Sequence, residues 1–477
     1  MLCYHQTRKS SSGNRCLLYL VEVDLLDRYL LLRKEKIGKL IWKFSLPAIA
    51  STIVNAVYNV IDRIFVGRGV NSLALSGVAV AMPFTMILSS FALLIGTGAA
   101  IQVSIKLGEN KKEQAEKIIG NALFLGLVTA FILPVIGFIF MEPLLIAFGG
   151  NIKILLYAKE FMQIMLLSTV FMNVFQILNS AIQAEGNPVM ALVLTIVGTS
   201  INMVLNPLFI FEWHLGIRGS ALATLISQLV TASWAVIYFF YNSKSLLKIK
   251  WANFIPEKTI LLNIISFGIA PFLIQNLTSL SSTAANHVFM TYGGNTALAV
   301  VGIVGVLSLL FILPITGIAQ GIQPILGFNY GEKNYDRVKR IFVLASLNAT
   351  ILCLFDFIII FFFSQQLISF FSQNDQNIIH LGAIGIKYSM ITMPVIGFQI
   401  IGSTYFQAVG KYKQAIFLTI SRLGLFLIPL LFLLSSLFGL YGGIAAFPIS
   451  DFLAGILVTI FIIYEWKNLD SKKVLEA

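Results

Sequence analysis

Asp62 and Arg63 stand side by side in "NAVYNVIDRIFVG", residues 55 to 67, within one of the most apolar regions of the chain. A charge in such a span costs about 3 kcal/mol on the gentler insertion scales, so it needs a use or a partner. Successive helical residues diverge by about 100°, so Asp62 and Arg63 do not face each other. Tyr58, one turn earlier, shares the face of Asp62. At the same depth, "INMVLNPLFIF" puts Asn202 and Asn206 on one helical face, and "GSALATLISQ" puts Thr224 in the first turns of the next apolar run. Asp62, Asn202, Asn206 and Thr224 are thus four oxygen-bearing side chains at one level. They suit a hard cation such as Na⁺, and a lone carboxylate away from water also suits a proton. Two plainer readings stand beside this one. Polar residues can simply tie helices together, and Asp62 can be a helix-end residue at the outer interface.

The elements that must position these groups follow from composition. Residues of the AVILMFWYC set make up 57% of the 477, and only 11% are charged; mean hydropathy is +0.87. A soluble domain has about a quarter of its residues charged. Runs such as "NALFLGLVTAFILPVIGFIF" (121–140) and "LTISRLGLFLIPLLFLLSSLFGL" (418–440) are long enough to cross a bilayer as helices, where every backbone group must be satisfied internally. The chain reads as an all-α polytopic membrane protein with 12 transmembrane helices, beginning near Ile41, Gly77, Lys117, Tyr157, Val189, Gly219, Leu261, Leu298, Val338, Ala383, Ala415 and Gly442. On this reading 26 of the 33 lysines and arginines fall on the inner side, five on the outer side and two within spans. The net charge of +12 is therefore topological rather than a nucleic-acid footprint, and both termini are expected in the cytoplasm.

The halves repeat each other. Pro47 in "FSLPAIA" matches Pro271 in "FGIAPFL", 224 residues on, and Gly77 matches Gly302 at 225. "IQAEGN" (182–187) meets "FQAVGK" (406–411), and "HLGIRGSALA" (214–223) meets "LFGLYGGIAA" (437–446) at nearly the same offset. Each half then holds six spans, and an even number gives the halves parallel orientation about a pseudo-two-fold along the membrane normal. The expected divisions are a peripheral or poorly ordered cytoplasmic leader at 1–36, a six-helix bundle at 37–241, a basic cytoplasmic connector at 242–260, a second bundle at 261–466 and a cytoplasmic tail at 467–477. Two similar bundles around a cleft suit a transporter, and one chain supplies a complete one, so a functional monomer is expected.

Other polar residues carry less. Glu185 in "AEGNPVM" reads, from spacing alone, as a solvated loop glutamate. Arg422 and Asp451 read as a buried pair in the second bundle, with Gln407 in the same polar network. Asp356 in "LCLFDFIII" has no evident partner, and His287 reads as a packed polar residue. Cys3, Cys16 and Cys353 form no spaced framework. There is no G-x-x-x-x-G-K-[ST], the four histidines are scattered, and no nucleophile sits with a base. No enzyme, cofactor or structural metal is expected, only a coupling ion, Na⁺ or H⁺.

"FSLPAI", "YNVIDRIFVG", "QAEGNP", "NMVLNPLFIF", "GIQPILGFNYGEKN", "YFQAVGK" and "FPISD" together resemble the multidrug and toxic compound extrusion (MATE) transporters, nearest their DinF-like and MepA-like branch, over about residues 36–466. The resemblance implies an inner-membrane antiporter that exports amphipathic, often cationic, small molecules against inward Na⁺ or H⁺. It implies cation binding at Asp62 with Asn202, Asn206 and Thr224 around it, bending of the first helix at Pro47, and a cytoplasmic gate at Glu185 and Asn179. One position departs: the pattern commonly reads N-x-x-L-D-P where this chain has Asn206 before Pro207, which leaves Asp62 the only deep carboxylate of that site. The alternative reading is a flippase for a lipid-linked saccharide or other amphipathic lipid precursor, which calls for a more basic groove than Arg422 alone provides.

Overall fold

A computed structural model describes residues 30–476 apart from 71, 242–244 and 372–374. The described residues are almost entirely helical, with no strand among them. In chain order the first half comprises α1 (Ile37–Gly69), α2 (Ser72–Gly108), α3 (Lys112–Ile139), a short α4 (Met141–Ala147), α5 (Ile152–Ala184), α6 (Pro188–Pro207) and α7 (Gly216–Tyr241). The second comprises α8 (Lys258–Gly331), α9 (Tyr335–Ser369), α10 (Gln376–Ser389), α11 (Met393–Ala408), α12 (Tyr412–Ile420) and α13 (Ile428–Glu476). Among the described residues nine helices are long and apolar enough to cross a membrane, and a tenth span is formed if α10 and α11, bent by 50° at their junction, act as one.

The two longest helices are interrupted, each at a glycine. Gly294 in α8 has φ 64° and ψ −158°, and Gly439 in α13 has φ 61° and ψ −140°. Only glycine takes up such a backbone without strain. Both positions are dictated by the repeat. Gly439 matches Gly216, which starts α7 with φ 57°, and Gly294 matches Gly69, the last residue of α1. Each interruption thus falls where the first half turns between two helices.

One buried apolar cluster joins both halves, running through Leu40, Ile95 and Ile182 of the first and Ile322, Val338 and Phe406 of the second. Two smaller clusters belong to single halves, one around Phe84, Leu166 and Ile210, the other around Phe289, Leu431 and Ile444. The shared cluster takes in the connector end of both halves and in the second half runs on to Ile360 and Ile368 near the far end of α9. Glycines mark the close approach at the connector end. A Cβ on Gly268 would lie 1.8 Å from the Leu94 carbonyl oxygen, and one on Gly108 would lie 2.0 Å from that of Phe328. α1 docks near Pro47 as well, where Ser45 and Ile49 pack against Gly321 and Gly317 of α8, and α1 continues as helix through the proline.

Residues 1–29 of the expected leader lie outside the described residues. Its end, from residue 30, is ordered and packs against both halves. Leu32 is fully buried, its carbonyl accepts from Asn329 and Arg337 of the second half, and Leu32 Cδ1 lies against Gly186 of the first. Arg33 pairs with Glu332 at 3.2 Å, and Arg337 also donates to the Glu35 carbonyl at 2.6 Å. Leu32 has an apolar slot between the halves, and that burial outweighs the polar composition around it.

Candidate functional site

α1, α6 and α7 bring the four oxygen-bearing residues together in the far half of the first bundle. Asp62 Oδ1 accepts hydrogen bonds from Asn206 Nδ2 at 2.5 Å and from Ser220 Oγ at 3.0 Å. Thr224 Oγ1 donates to the Ser220 carbonyl at 3.1 Å and accepts from Asn202 Nδ2 at 3.1 Å. With its one proton committed, Thr224 accepts from Tyr58 OH, 3.3 Å away. Asn202 and Asn206 are buried, and the side-chain carbonyl oxygen of each has no hydrogen-bond partner. A buried acceptor left open costs about 1–3 kcal/mol, so two beside one carboxylate form a set of oxygens with unspent capacity.

Local sequence accounts for the arrangement. Pro207 carries no N–H, and the chain leaves α6 as a π turn at Leu208–Glu212, so Asn206 sits at the end of the regular ladder. Ser220 and Thr224 are four residues apart on one face of α7. Sequence reasoning passed over Ser220. Its signal was that spacing from Thr224, but a serine on an apolar helix is usually bonded to its own backbone. Arg63 is exposed and reaches Met82 Sδ at 3.1 Å, so it is no counter-ion to Asp62.

The expectation of a solvated Glu185 is overturned. Its side chain is fully buried and accepts from Tyr238 OH, from Ser245 Oγ at 2.9 Å and from the Leu246 N–H at 3.0 Å. Tyr238 comes from the last turns of α7, and the connector folds back over the bundle and brings Ser245 and Leu246. Glu116 and Asn121 hold the same segment: Glu116 accepts from the Lys248 N–H at 3.1 Å, and Asn121 donates to the carbonyls of Asn253 and Ile255. Asn179 is buried nearby on α5, but no hydrogen bond joins it to Glu185. His287 is exposed rather than packed, and Asp356 is buried with one carboxylate oxygen lacking a partner, which nothing in the structure explains.

The second half keeps one expected pair and divides the expected network. Arg422 Nε donates to Asp451 Oδ1 at 2.9 Å. Gln407 stands apart from them, donating to Ser403 in its own helix at 3.4 Å and lining a cavity between the halves. An ion pair that sequence reasoning missed lies at the connector end, between Lys411 and the buried Glu465. Lys411 fills the repeat position of Asn187, which donates to Tyr238 at 3.1 Å in the Glu185 cluster. Among the described residues no group of three or more His, Cys, Asp or Glu is placed to hold a metal ion.

A bundle of apolar helices with a polar set at one depth and a cavity between two repeated halves is a membrane transporter's architecture. The family model for MatE matches the chain twice, at residues 47–208 and 271–433, once in each repeat. The chain belongs to the MATE family of multidrug export transporters. It is similar to the multidrug export protein MepA of Staphylococcus aureus strain MRSA252, 26% identical over 447 residues, which cover 93% of this chain and 98% of that one. The MepA protein of Staphylococcus haemolyticus strain JCSC1435 is 27% identical over 448 residues, with the same coverage. Among solved structures, a MATE protein in the bent conformation superposes with a TM-score of 0.89 at 24% identity, covering 94% of this chain and 99% of that one. An outward-facing MATE family transporter of the MOP superfamily superposes with 0.87 at 23%, covering 93% and 98%. These structures share the fold. The chain is a transporter rather than an enzyme.

Proposed function

We propose that the chain exports amphipathic, cationic small molecules by antiport with Na⁺ or H⁺ across the cytoplasmic membrane, acting as a monomer with both termini inside. On this reading α8 and α13 are each divided at their glycine, α10 and α11 form one bent span, and α12 runs through the π turn Ser421–Leu427 into α13. With the short α4 set aside, that leaves twelve spans in two six-helix bundles. The close approach of backbone from the two halves at Gly98, Gly108 and Gly268, at the connector end, supports a molecule closed toward the cytoplasm and open outward.

The carrying observation is Asp62 held by Asn206 and Ser220 beside two buried amide oxygens that lack partners. Such a set gains most when a cation or proton enters it. Occupancy is thereby linked to which side the cleft faces, provided that ion and drug favour opposite states. Pro47, at the point where α1 docks on α8, is where α1 bends as occupancy changes. Glu185 and Asn179 serve the cytoplasmic gate. The flippase alternative is not favoured: the named relatives are multidrug exporters, and no lysine or arginine lines the cavity between the halves.

Expression in a bacterial host stripped of its own efflux pumps tests the reading. The wild type is expected to raise the inhibitory concentration of ethidium and similar cationic dyes at least fourfold, and Asp62→Asn to abolish the rise. A mutant that protects as well as the wild type removes Asp62 from the mechanism.

A further inference from the structure

The cavity between the halves has a volume of about 240 Å³ and lies at the floor of the cleft, above the contacts that close the connector end. Five glutamines line it: Gln176 and Gln183 from α5, Gln320 and Gln323 from α8, and Gln407 from α11. Among the described residues, the side chains of Gln176, Gln183, Gln320 and Gln323 make no hydrogen bond within the protein, and Gln407 makes only the long one to Ser403. No charged side chain lines the cavity, and Leu93 and Ile274 supply apolar wall. The repeat places Gln183 and Gln407 at matching positions in "IQA" and "FQA", so the two halves present one amide each across the cavity.

Amides offer directional donors and acceptors and no net charge. A cation that carries no hydrogen-bonding group gains little from them. A planar group bearing N–H donors, set on an aromatic body, can use several amide oxygens at once while its ring lies on the apolar wall. The volume suits one end of a drug-sized molecule rather than the whole of it.

We infer that this glutamine-lined cavity is a subsite that recognises amidine- or amide-bearing aromatic compounds by hydrogen bonding, separate from the carboxylate set at Asp62. The inference rests on the export reading and names a substrate class for it.

The experiment compares two probes in proteoliposomes: the diamidine dye 4′,6-diamidino-2-phenylindole, and tetraphenylphosphonium, a cation without N–H or C=O groups. With Gln183→Leu/Gln407→Leu, the concentration for half-maximal export of the diamidine is expected to rise about tenfold, as for the loss of a hydrogen bond to a charged group, and that for tetraphenylphosphonium to change less than about twofold. Retained export of tetraphenylphosphonium also reports that the variant is folded. No change for either probe overturns the subsite while leaving export intact. Failure of the wild type to export either probe overturns the export reading and the subsite with it. If the double variant loses both probes, Gln320→Leu, at the exposed rim, decides the matter: a selective loss of the diamidine supports the subsite, and any other result overturns it.

Discussion

At Asp62 the surroundings decide what the carboxylate can do. Two donors hold one oxygen, and the second position where a carboxylate would be common holds Asn206 instead. Asn206→Asp would set a second carboxylate in hydrogen-bond contact with the first. Two carboxylates that close repel each other when both are charged, so the pair is expected to hold a shared proton. The variant's efflux rate, measured from about pH 5.5 to pH 8.5, is therefore expected to depend on pH differently from that of the wild type. Superimposable profiles would mean that position 206 does not sense the charge on Asp62. Depth and helical period sufficed to bring Asp62, Asn202, Asn206 and Thr224 to one site from the sequence, because all three helices are regular up to that level. Ser220 was hidden because a hydroxyl on an apolar helix gives the same signal whether it bonds a carboxylate or its own backbone.

The elements depend on a few buried charged contacts at the connector end. Lys411 and Glu465 form one of them, with a carboxylate almost wholly shielded from water. Lys411→Met strands that charge, and the expected cost is about 3–5 kcal/mol. It should appear as a lower melting temperature of the detergent-solubilised protein, and Lys411→Met/Glu465→Met should recover most of the loss. Equal melting of the single and double variants would show that the pair is not coupled. Glu185 fixes the connector itself. With Glu185→Gln, the donors from Tyr238, Ser245 and Leu246 lose a charged acceptor, so the segment is expected to come away and free the backbone around Lys248 and the already exposed Lys250. Limited trypsin digestion should then cut the variant at the connector faster than the wild type; an unchanged rate would relieve Glu185 of that role. None of this was legible in "AEGNPVM", because burial there comes from a segment some sixty residues later folding back. The repeat, by contrast, was legible in detail. Gly439, which breaks α13, lay in the matched stretch 437–446, since a turn that needs positive φ admits few other residues, whereas Gly294, which breaks α8, stood in none of the matched stretches.

For the whole molecule, the proposed export by alternating access requires the connector end to open. That end is closed by backbone meeting backbone across α2 and α8, where Gly98 and Gly268 leave no room for a side chain. Gly268→Val is expected to force the halves apart there and shift the population toward an inward-open state. A cysteine at Gln183, in a background without Cys3, Cys16 and Cys353, reports the shift. Its labelling by a membrane-impermeant thiol reagent from the connector side should rise with Gly268→Val; unchanged labelling would mean that this contact does not hold the gate. Hydropathy announced a polytopic helical membrane protein, and the repeat announced two related halves, each of which the family model matches once. Which end was closed could not be read in the sequence, because that depends on contacts between residues more than 160 positions apart.

The central claim is that export is driven by a cation or proton at Asp62. Ethidium efflux from proteoliposomes, driven in turn by a Na⁺ gradient and by a pH gradient, measures it directly. The account predicts wild-type efflux that follows one of the two gradients and an Asp62→Asn variant that follows neither. Efflux from the variant at the wild-type rate under the same gradient would contradict it.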